Sequence, residues 1–265
     1  MKTAIIGTGN LGAAIARGII KDDLASQLTL TKRKLEELHT FERHHGVQCT
    51  RDNLAAATDS DVIIMAVQPT QMEGLLQELS PVIRNKQLLI SVATGYGIDQ
   101  MEAILGSDKP IMRAMPNTAI GVGHSMTTLC GNKASEGLEH KAESIFNSLG
   151  KTLHIPEEKM QAATVVCASG IAFWMRLIRA TTQGAIQLGF DSGEAREMAI
   201  QTCFGAASLL QHSGSHPEAE IDKVTTPMGC TIEGLNEMEF QGMSASLIKG
   251  MKASFEKINE IAIKK

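Results

Sequence analysis

Three glycines near the start of the chain, Gly7, Gly9 and Gly12, have types and spacing that can do chemistry. They form G-x-G-x-x-G directly after the apolar run Thr3–Ile6 and directly before an apolar helical stretch, Ala13–Ile20. Strand, glycine turn and helix is the context in which this pattern cradles a dinucleotide. Gly7 permits the tight turn, Gly9 lets the backbone approach a pyrophosphate, and Gly12 lets helix and strand pack closely. Thr8, Asn10 and Leu11 complete the loop, and the helix N-terminus directs its free N–H groups at the phosphates. A glycine turn without a ligand is the plain alternative.

The kind of dinucleotide is decided at the end of the second strand. Leu28–Thr31 reads as that strand, and Lys32, Arg33 and Lys34 follow it, with no acid until Glu36. An NAD site would place Asp or Glu there to hold the ribose 2′-hydroxyl. Three cations instead suit a 2′-phosphate, with Arg able to contact it bidentately. NADP is therefore expected, with NADH as a possible second cofactor. A solvated basic surface is the competing reading of such a short charge run.

A second reactive stretch lies far downstream, at Thr225-Thr226-Pro227-Met228-Gly229-Cys230-Thr231. It reads as a turn feeding a helix, and its hydroxyls and N–H groups suit a carboxylate. A structural helix cap would look the same when taken alone. Cys167-Ala168-Ser169-Gly170 breaks an apolar helix with small residues, which allows close approach of a ligand. Asn117, just past Pro116 at the end of a strand, is placed to orient a nicotinamide or a substrate.

The elements that must position these groups change character along the chain. Up to about Pro156, strands alternate with helices. Strands are expected at Thr3–Ile6, Leu28–Thr31, Val62–Val67, Leu88–Val92 and Ile111–Ala114, with edge strands at Met126–Cys130 and Lys151–His154. Helices are expected at Leu11–Lys21, Lys34–His45, Thr70–Leu79 and Ile98–Leu105. Runs such as Val62–Val67 are apolar on both faces, as in a parallel sheet covered on both sides. The fold class is α/β: a doubly wound Rossmann-type parallel sheet over residues 1–156, followed by an all-α domain over 157–265. In that second part Glu157–Leu188 reads as one long helix stopped by Gly189. Asp191 and Glu194 resemble a capping box for a helix reaching about His212. Helices at Pro217–Val224, Thr231–Phe240 and Ser244–Ile263 follow. Met160–Ile171 is too apolar all round for a lone surface helix, so it must be buried in its domain or against a second subunit.

Composition bounds the rest. The chain has 265 residues and a formal net charge of −4, so no basic surplus points to nucleic acid. One Trp and one Tyr offer little for stacking bases. No apolar run long enough to cross a bilayer is expected, and a chain opening in a strand is expected to lack a signal peptide. The five cysteines, Cys49, Cys130, Cys167, Cys203 and Cys230, are odd in number and widely spaced, which fits reduced core residues in a cytoplasmic protein. His39, His44 and His45 lack zinc spacing, so no metal is expected.

Taken in order, Ile-Gly-Thr-Gly-Asn-Leu-Gly, Ala-Met-Pro-Asn-Thr and above all Thr-Thr-Pro-Met-Gly-Cys-Thr-Ile-Glu-Gly-Leu resemble the pyrroline-5-carboxylate reductase family. The resemblance covers nearly the whole chain. It implies NADPH-dependent reduction of the cyclic imine 1-pyrroline-5-carboxylate to L-proline, the last step of proline biosynthesis. It implies that Thr225, Thr226, Gly229, the backbone at Cys230, Thr231 and Ser169 meet the substrate, with Thr231 hydrogen-bonded to the reacting imine nitrogen as the catalytic group. Asn53 would lie near the adenosine ribose, and Ala66, Val67, Gln68, Pro69, Ala93 and Asn117 would line the cofactor cleft. The helical domain would form homodimers, which in the family assemble further into decamers; neither nucleic acid nor membrane is an expected partner. Three departures touch the pocket. Gln68 stands where the family usually has Lys, Cys167–Phe173 replaces Ser-Gly-Ser-Gly-Pro-Ala-Tyr, and Met228 replaces a glycine.

A protonated imine is already electrophilic, so hydride transfer to it needs grip and orientation more than a strong acid. Alcohol oxidation, by contrast, needs a base. No Lys occurs between Lys159 and Lys223 and no His between His154 and His212, which disfavours a hydroxyacid dehydrogenase. A reductase for a related cyclic imine acid, and a non-catalytic NADP-binding regulatory protein, stay open at this point.

Overall fold

The computed structural model describes residues 1–263. Eight strands form one sheet in the order β3-β2-β1-β4-β5-β6-β7-β8. They are β1 Lys2–Ile6, β2 Gln27–Thr31, β3 Val47–Thr50, β4 Val62–Met65, β5 Leu88–Ser91, β6 Ile111–Met115, β7 Ser125–Gly131 and β8 Gly150–His154. The first six run parallel, β7 turns antiparallel to β6, and β8 is parallel to β7. Helices α1 Asn10–Lys21, α2 Asn53–Thr58, α3 Met72–Leu79, α4 Ile98–Leu105 and α5 Glu139–Asn147 connect the strands.

Successive strand residues feed opposite faces, and both faces are apolar. Ile5, Leu30, Ile64, Ile90 and Met112 pack with Ile15 of α1 and Phe146 of α5 in one core. Ile6, Ile63, Met65, Leu89 and Ile111 pack with Leu76 of α3 and Met101 of α4 in the other. This is why the strands read as continuous hydrophobic runs. The doubly wound Rossmann-type sheet and the helical C-terminal region are both present as expected.

Several expected elements differ. Lys34–His45 is not a helix. A 3-10 turn at Leu35–Leu38 gives way to turns that end at Gly46, whose φ is +77°. Leu35, Leu38 and Phe41 recur every third residue, a spacing the tighter 3-10 geometry satisfies as well as an α-helix. Strand β3 was not expected; Val47-Gln48-Cys49-Thr50 is a short, half-buried edge strand with a weak apolar signal. The segment Thr70–Leu79 opens with a 3-10 turn at Pro69–Gln71 before α3 begins.

Beyond the sheet come α6 Met160–Ala163, a π-helical stretch Thr164–Ser169, and α7 Gly170–Gln187. With the short turn before α6 they form one helical run, Glu157–Gln187, long and apolar enough by length and composition to cross a membrane. This corrects the expectation that no such run exists. Scattered polar residues hide its length in the sequence, and the helix joins the pieces. Of Met160–Ile171, Met160 and Val165 are buried while Val166 is 54% exposed, so only part of that stretch is covered within the chain.

The remaining helices are α8 Ser192–Ser213, α9 Pro217–Val224, α10 Cys230–Phe240 and α11 Met243–Ile263. The Asp191 capping box is present, its carboxylate accepting from the amides of Gly193 and Glu194 at 2.7 and 3.0 Å. Two compact units result, Met1–Ala168 with the end of α11 from Lys257, and Ser169–Glu256. In the second, α7 packs on α8, and the buried residues there are small: Thr182, Ala195 and Ala199.

In the first unit, Arg113 of β6 is buried and its Nη1 donates to Glu157 Oε1 at 2.9 Å. The same carboxylate oxygen accepts the Ile98 amide at 2.8 Å, tying α4 to the chain beyond β8. Glu157→Ala would strand a buried guanidinium and orphan an amide. It is expected to destabilise the first unit by about 2–3 kcal/mol, seen as a Tm lowered by ~5 °C in a thermal melt.

Candidate functional site

The nucleotide site follows from how β1 ends. Gly7 has φ +90°, and a Cβ there would lie 2.7 Å from Val67 Cγ1 and 2.9 Å from the Ala66 carbonyl oxygen. Only glycine fits that turn. Gly12, one turn into α1, sits against the Gly7 carbonyl, where a Cβ would approach to 2.7 Å. Gly9 precedes α1 with open space where a Cβ would project, and no side chain caps the helix. Its first-turn amides are therefore left for another acceptor. The loop is pinned to β2: the Thr8 amide donates to the Thr31 carbonyl at 2.9 Å and the Gly7 amide to Thr31 Oγ1 at 3.3 Å. Thr8 Oγ1 is buried without a hydrogen-bond partner among the described residues, an orphaned polar atom at the edge of the cleft. A bare glycine cradle, uncapped amides and an unpaired hydroxyl fit a pyrophosphate.

The cleft has a volume of about 850 Å³. The loops after four adjacent strands line it: Gly7, Thr8 and Gly9 after β1; Lys32, Arg33 and Lys34 after β2; Arg51 and Asn53 after β3; Ala66, Val67 and Gln68 after β4. It lies at the carboxyl ends of the strands, where the order turns back at β1 and β4, as ligand sites do in this architecture. Four cations face two carboxylates here, Glu37 and Glu78. Lys32 Nζ lies 2.6 Å from Glu37 Oε2, and this hydrogen bond and the charge behind it hold the Glu37 carboxyl below the usual carboxylate range. Asn53 Nδ2 donates to Glu78 at 3.3 Å.

Nine of the fifteen residues expected to hold the cofactor thus line one cleft. Asn10, Leu11, Gly12, Pro69 and Ala93 do not line it; Asn10 opens α1, Gly12 packs beneath the loop, and Ala93 is buried. Asn117 is also outside it. Its Nδ2 donates to the Cys167 carbonyl at 3.0 Å and its Oδ1 accepts the Ala119 amide at 2.9 Å, so its side chain is engaged within the first unit. Gln68 opens the turn before α3: its backbone carbonyl accepts the Gln71 amide at 2.9 Å, and Gln71 Oε1 accepts the Gln68 backbone N–H at 3.2 Å. Three charged lining residues were missed in the sequence, Arg51, Glu37 and Glu78. Arg51 follows the strand that was not recognised, and Glu37 was assigned to a helix that does not form.

In the second unit, the segment Thr225–Thr231 is a turn feeding α10. Thr225 Oγ1 donates to the Asp222 carbonyl at 3.1 Å and the Gly229 amide to the Thr226 carbonyl at 2.9 Å. Gly229 is the cap of α10 and offers no side chain, so the amides of Cys230 and Thr231 open the helix without a side-chain acceptor. Met228 has φ +59° and is 98% exposed. Ser169 ends the π-helical stretch. The buried thiol of Cys130 is pushed up to about 11 by burial, which suits a packing residue. Among the described residues no group of His, Cys, Asp or Glu is arranged for a metal ion.

Comparison with known proteins adds family evidence. The family described as pyrroline-5-carboxylate reductase dimerisation matches residues 157–261, and NADP oxidoreductase coenzyme F420-dependent matches residues 2–95. Pyrroline-5-carboxylate reductase 1 of Dictyostelium discoideum is 41% identical over 96% of this chain, which spans about half (48%) of that relative. Pyrroline-5-carboxylate reductase 2 of the same organism is 41% identical, with 96% of this chain and 91% of the relative covered. The solved pyrroline-5-carboxylate reductase of Coxiella burnetii superposes with a TM-score of 0.93 at 28% identity, covering 98% of this chain and 97% of that one. That of Plasmodium falciparum, solved with NADP bound, gives 0.85 at 25% identity over 99% and 98% of the two chains.

Gly7→Ala forces a left-handed residue into a space closed by Ala66 and Val67. Binding of dinucleotide, measured by calorimetry, is expected to weaken at least tenfold, with a stability loss of about 1–3 kcal/mol.

Proposed function

The chain belongs to the pyrroline-5-carboxylate reductase family, and from that premise we propose that it reduces 1-pyrroline-5-carboxylate to L-proline, with NADPH as the preferred donor. It is an oxidoreductase with a nicotinamide cofactor site. The observation that carries the reading is the cleft in which Gly7–Gly9, the β2 cations and Ala66–Gln68 meet. Gly7, Thr8, Gly9 and the uncapped amides of Asn10, Leu11 and Gly12 would hold the pyrophosphate; Lys32, Arg33 and Arg51 would hold the 2′-phosphate. When bound, the nicotinamide supplies a hydride to the imine carbon.

The chain's own part is grip and orientation. Thr225, Thr226, Gly229 and the amides of Cys230 and Thr231 form a nest for the substrate carboxylate, because an uncapped helix N-terminus favours an anion. Thr231 Oγ1 is the group for the imine nitrogen, with the proton drawn from solvent. Ser169 belongs to the same substrate set, and Pro69, Ala93 and Asn117 support the nicotinamide half. The functional division is residues 1–156 for nucleotide and 157–265 for substrate and assembly.

Self-association is supported by exposed apolar side chains of the helical unit. Trp174, Met175, Phe204, Leu209 and Ile248 are each more than half exposed, far more than a soluble single chain leaves bare. A homodimer through these faces, assembled further into a decamer, in the cytoplasm, is the arrangement proposed.

Two substitutions test this reading. Thr231→Ala is expected to lower kcat by about 10- to 100-fold while the NADPH Kd stays within about twofold, and an unchanged kcat removes Thr231 from the mechanism. Arg33→Ala is expected to weaken NADPH about tenfold more than NADH. Equal losses for both would remove the 2′-phosphate assignment.

A further inference from the structure

The cleft holds an anion of its own. Glu37 stands in the 3-10 turn after β2, and its carboxylate bridges two of the four cations: Oε2 is 2.6 Å from Lys32 Nζ and Oε1 is 4.0 Å from Lys34 Nζ. The two arginines differ. Arg33 and Arg51 line the same cleft and make no ion pair or side-chain hydrogen bond among the described residues. The β2 lysines are thus already paired by a residue of the chain, and the guanidinium groups are free.

A nucleotide with a 2′-phosphate and one with a 2′-hydroxyl meet this arrangement differently. A phosphate brings close to two negative charges, which Glu37 repels and which compete with it for Lys32. A hydroxyl brings none, and leaves the ion pair as it is. Glu37 therefore acts on one cofactor and spares the other. It also supplies, five residues late, the acid that is missing at the end of β2.

We propose that Glu37 is a specificity-determining residue: by holding Lys32 and Lys34 in an ion pair that a 2′-phosphate must break, it narrows the preference for NADPH over NADH. The inference rests on the 2′-phosphate reading of the cleft given above. Glu37 is half-exposed, and Glu37→Gln keeps its size and shape while removing its charge. An exposed pair of this kind is worth a small amount, which sets the scale of the effect at about three- to fivefold.

The test is calorimetric binding of 2′,5′-ADP and 5′-AMP, and of NADPH and NADH, to the full chain and to Glu37→Gln. Expected is a gain of about three- to fivefold for 2′,5′-ADP and NADPH, with 5′-AMP and NADH changed by less than about twofold. The gain should shrink in ~1 M salt, where the Debye length is about 3 Å. It should also shrink in a Lys32→Met background, since the two effects share one ion pair. No gain, or a loss, for 2′,5′-ADP in Glu37→Gln overturns the proposal. If Arg33→Ala still weakens NADPH selectively in that case, the 2′-phosphate reading stands and only the role of Glu37 falls. If Arg33→Ala weakens both nucleotides equally, both fall together.

Discussion

The contact between Gly12 of α1 and the carbonyl of Gly7 is the constraint on which the site depends. A side chain at Gly12 would meet that carbonyl, and it would also press on Ile5. Without one, α1 lies down on β1 and β4 and presents its uncapped N-terminus at the point where the sheet order turns back. That placement decides what the other loops can do. The β2, β3 and β4 loops all end at the same edge because their strands are parallel and in register with β1. On the proposed reading, backbone geometry holds the phosphates at this edge, and selectivity falls to the side chains the neighbouring strands deliver.

Much of this was legible in the sequence because the signals are local and redundant. The glycine spacing, the two-faced apolar strands and the Lys32-Arg33-Lys34 run each point to one place, and nine of the fifteen expected cofactor residues line one cleft. What was illegible depended on tertiary packing. Strand β3 is held by pairing with β2, and its own residues, Val47 to Thr50, carry little apolar weight. Missing it hid Arg51. Leu35, Leu38 and Phe41 fit a helix on spacing, yet the chain tightens to 3-10 and then turns, and this leaves Glu37 facing the cations beside it. The antiparallel turn of β7 against β6 also has no sequence signature, since Ser125–Gly131 shows neither a continuous apolar run nor a clean alternation.

The helical unit obeys a different balance. Its buried residues are small and few, while its large apolar side chains face outward. A single chain does not bury enough of this surface for itself, which is the physical counterpart of the dimerisation family that matches residues 157–261. The same unit stores strain at Met228. A non-glycine residue at φ +59° costs about 1–2 kcal/mol. It persists where the turn must deliver the amides of Cys230 and Thr231 at a helix start without a side-chain cap. Strain at a segment with open donors is the pattern of a binding turn.

The most direct measurement is the fall in NADPH absorbance on adding 1-pyrroline-5-carboxylate to the full-length chain, with proline identified as product. Rapid, substrate-dependent loss of NADPH with one proline formed per NADPH consumed is the predicted result. NADPH that binds but is not consumed would contradict the reductase assignment and leave the cleft as a nucleotide site without this chemistry.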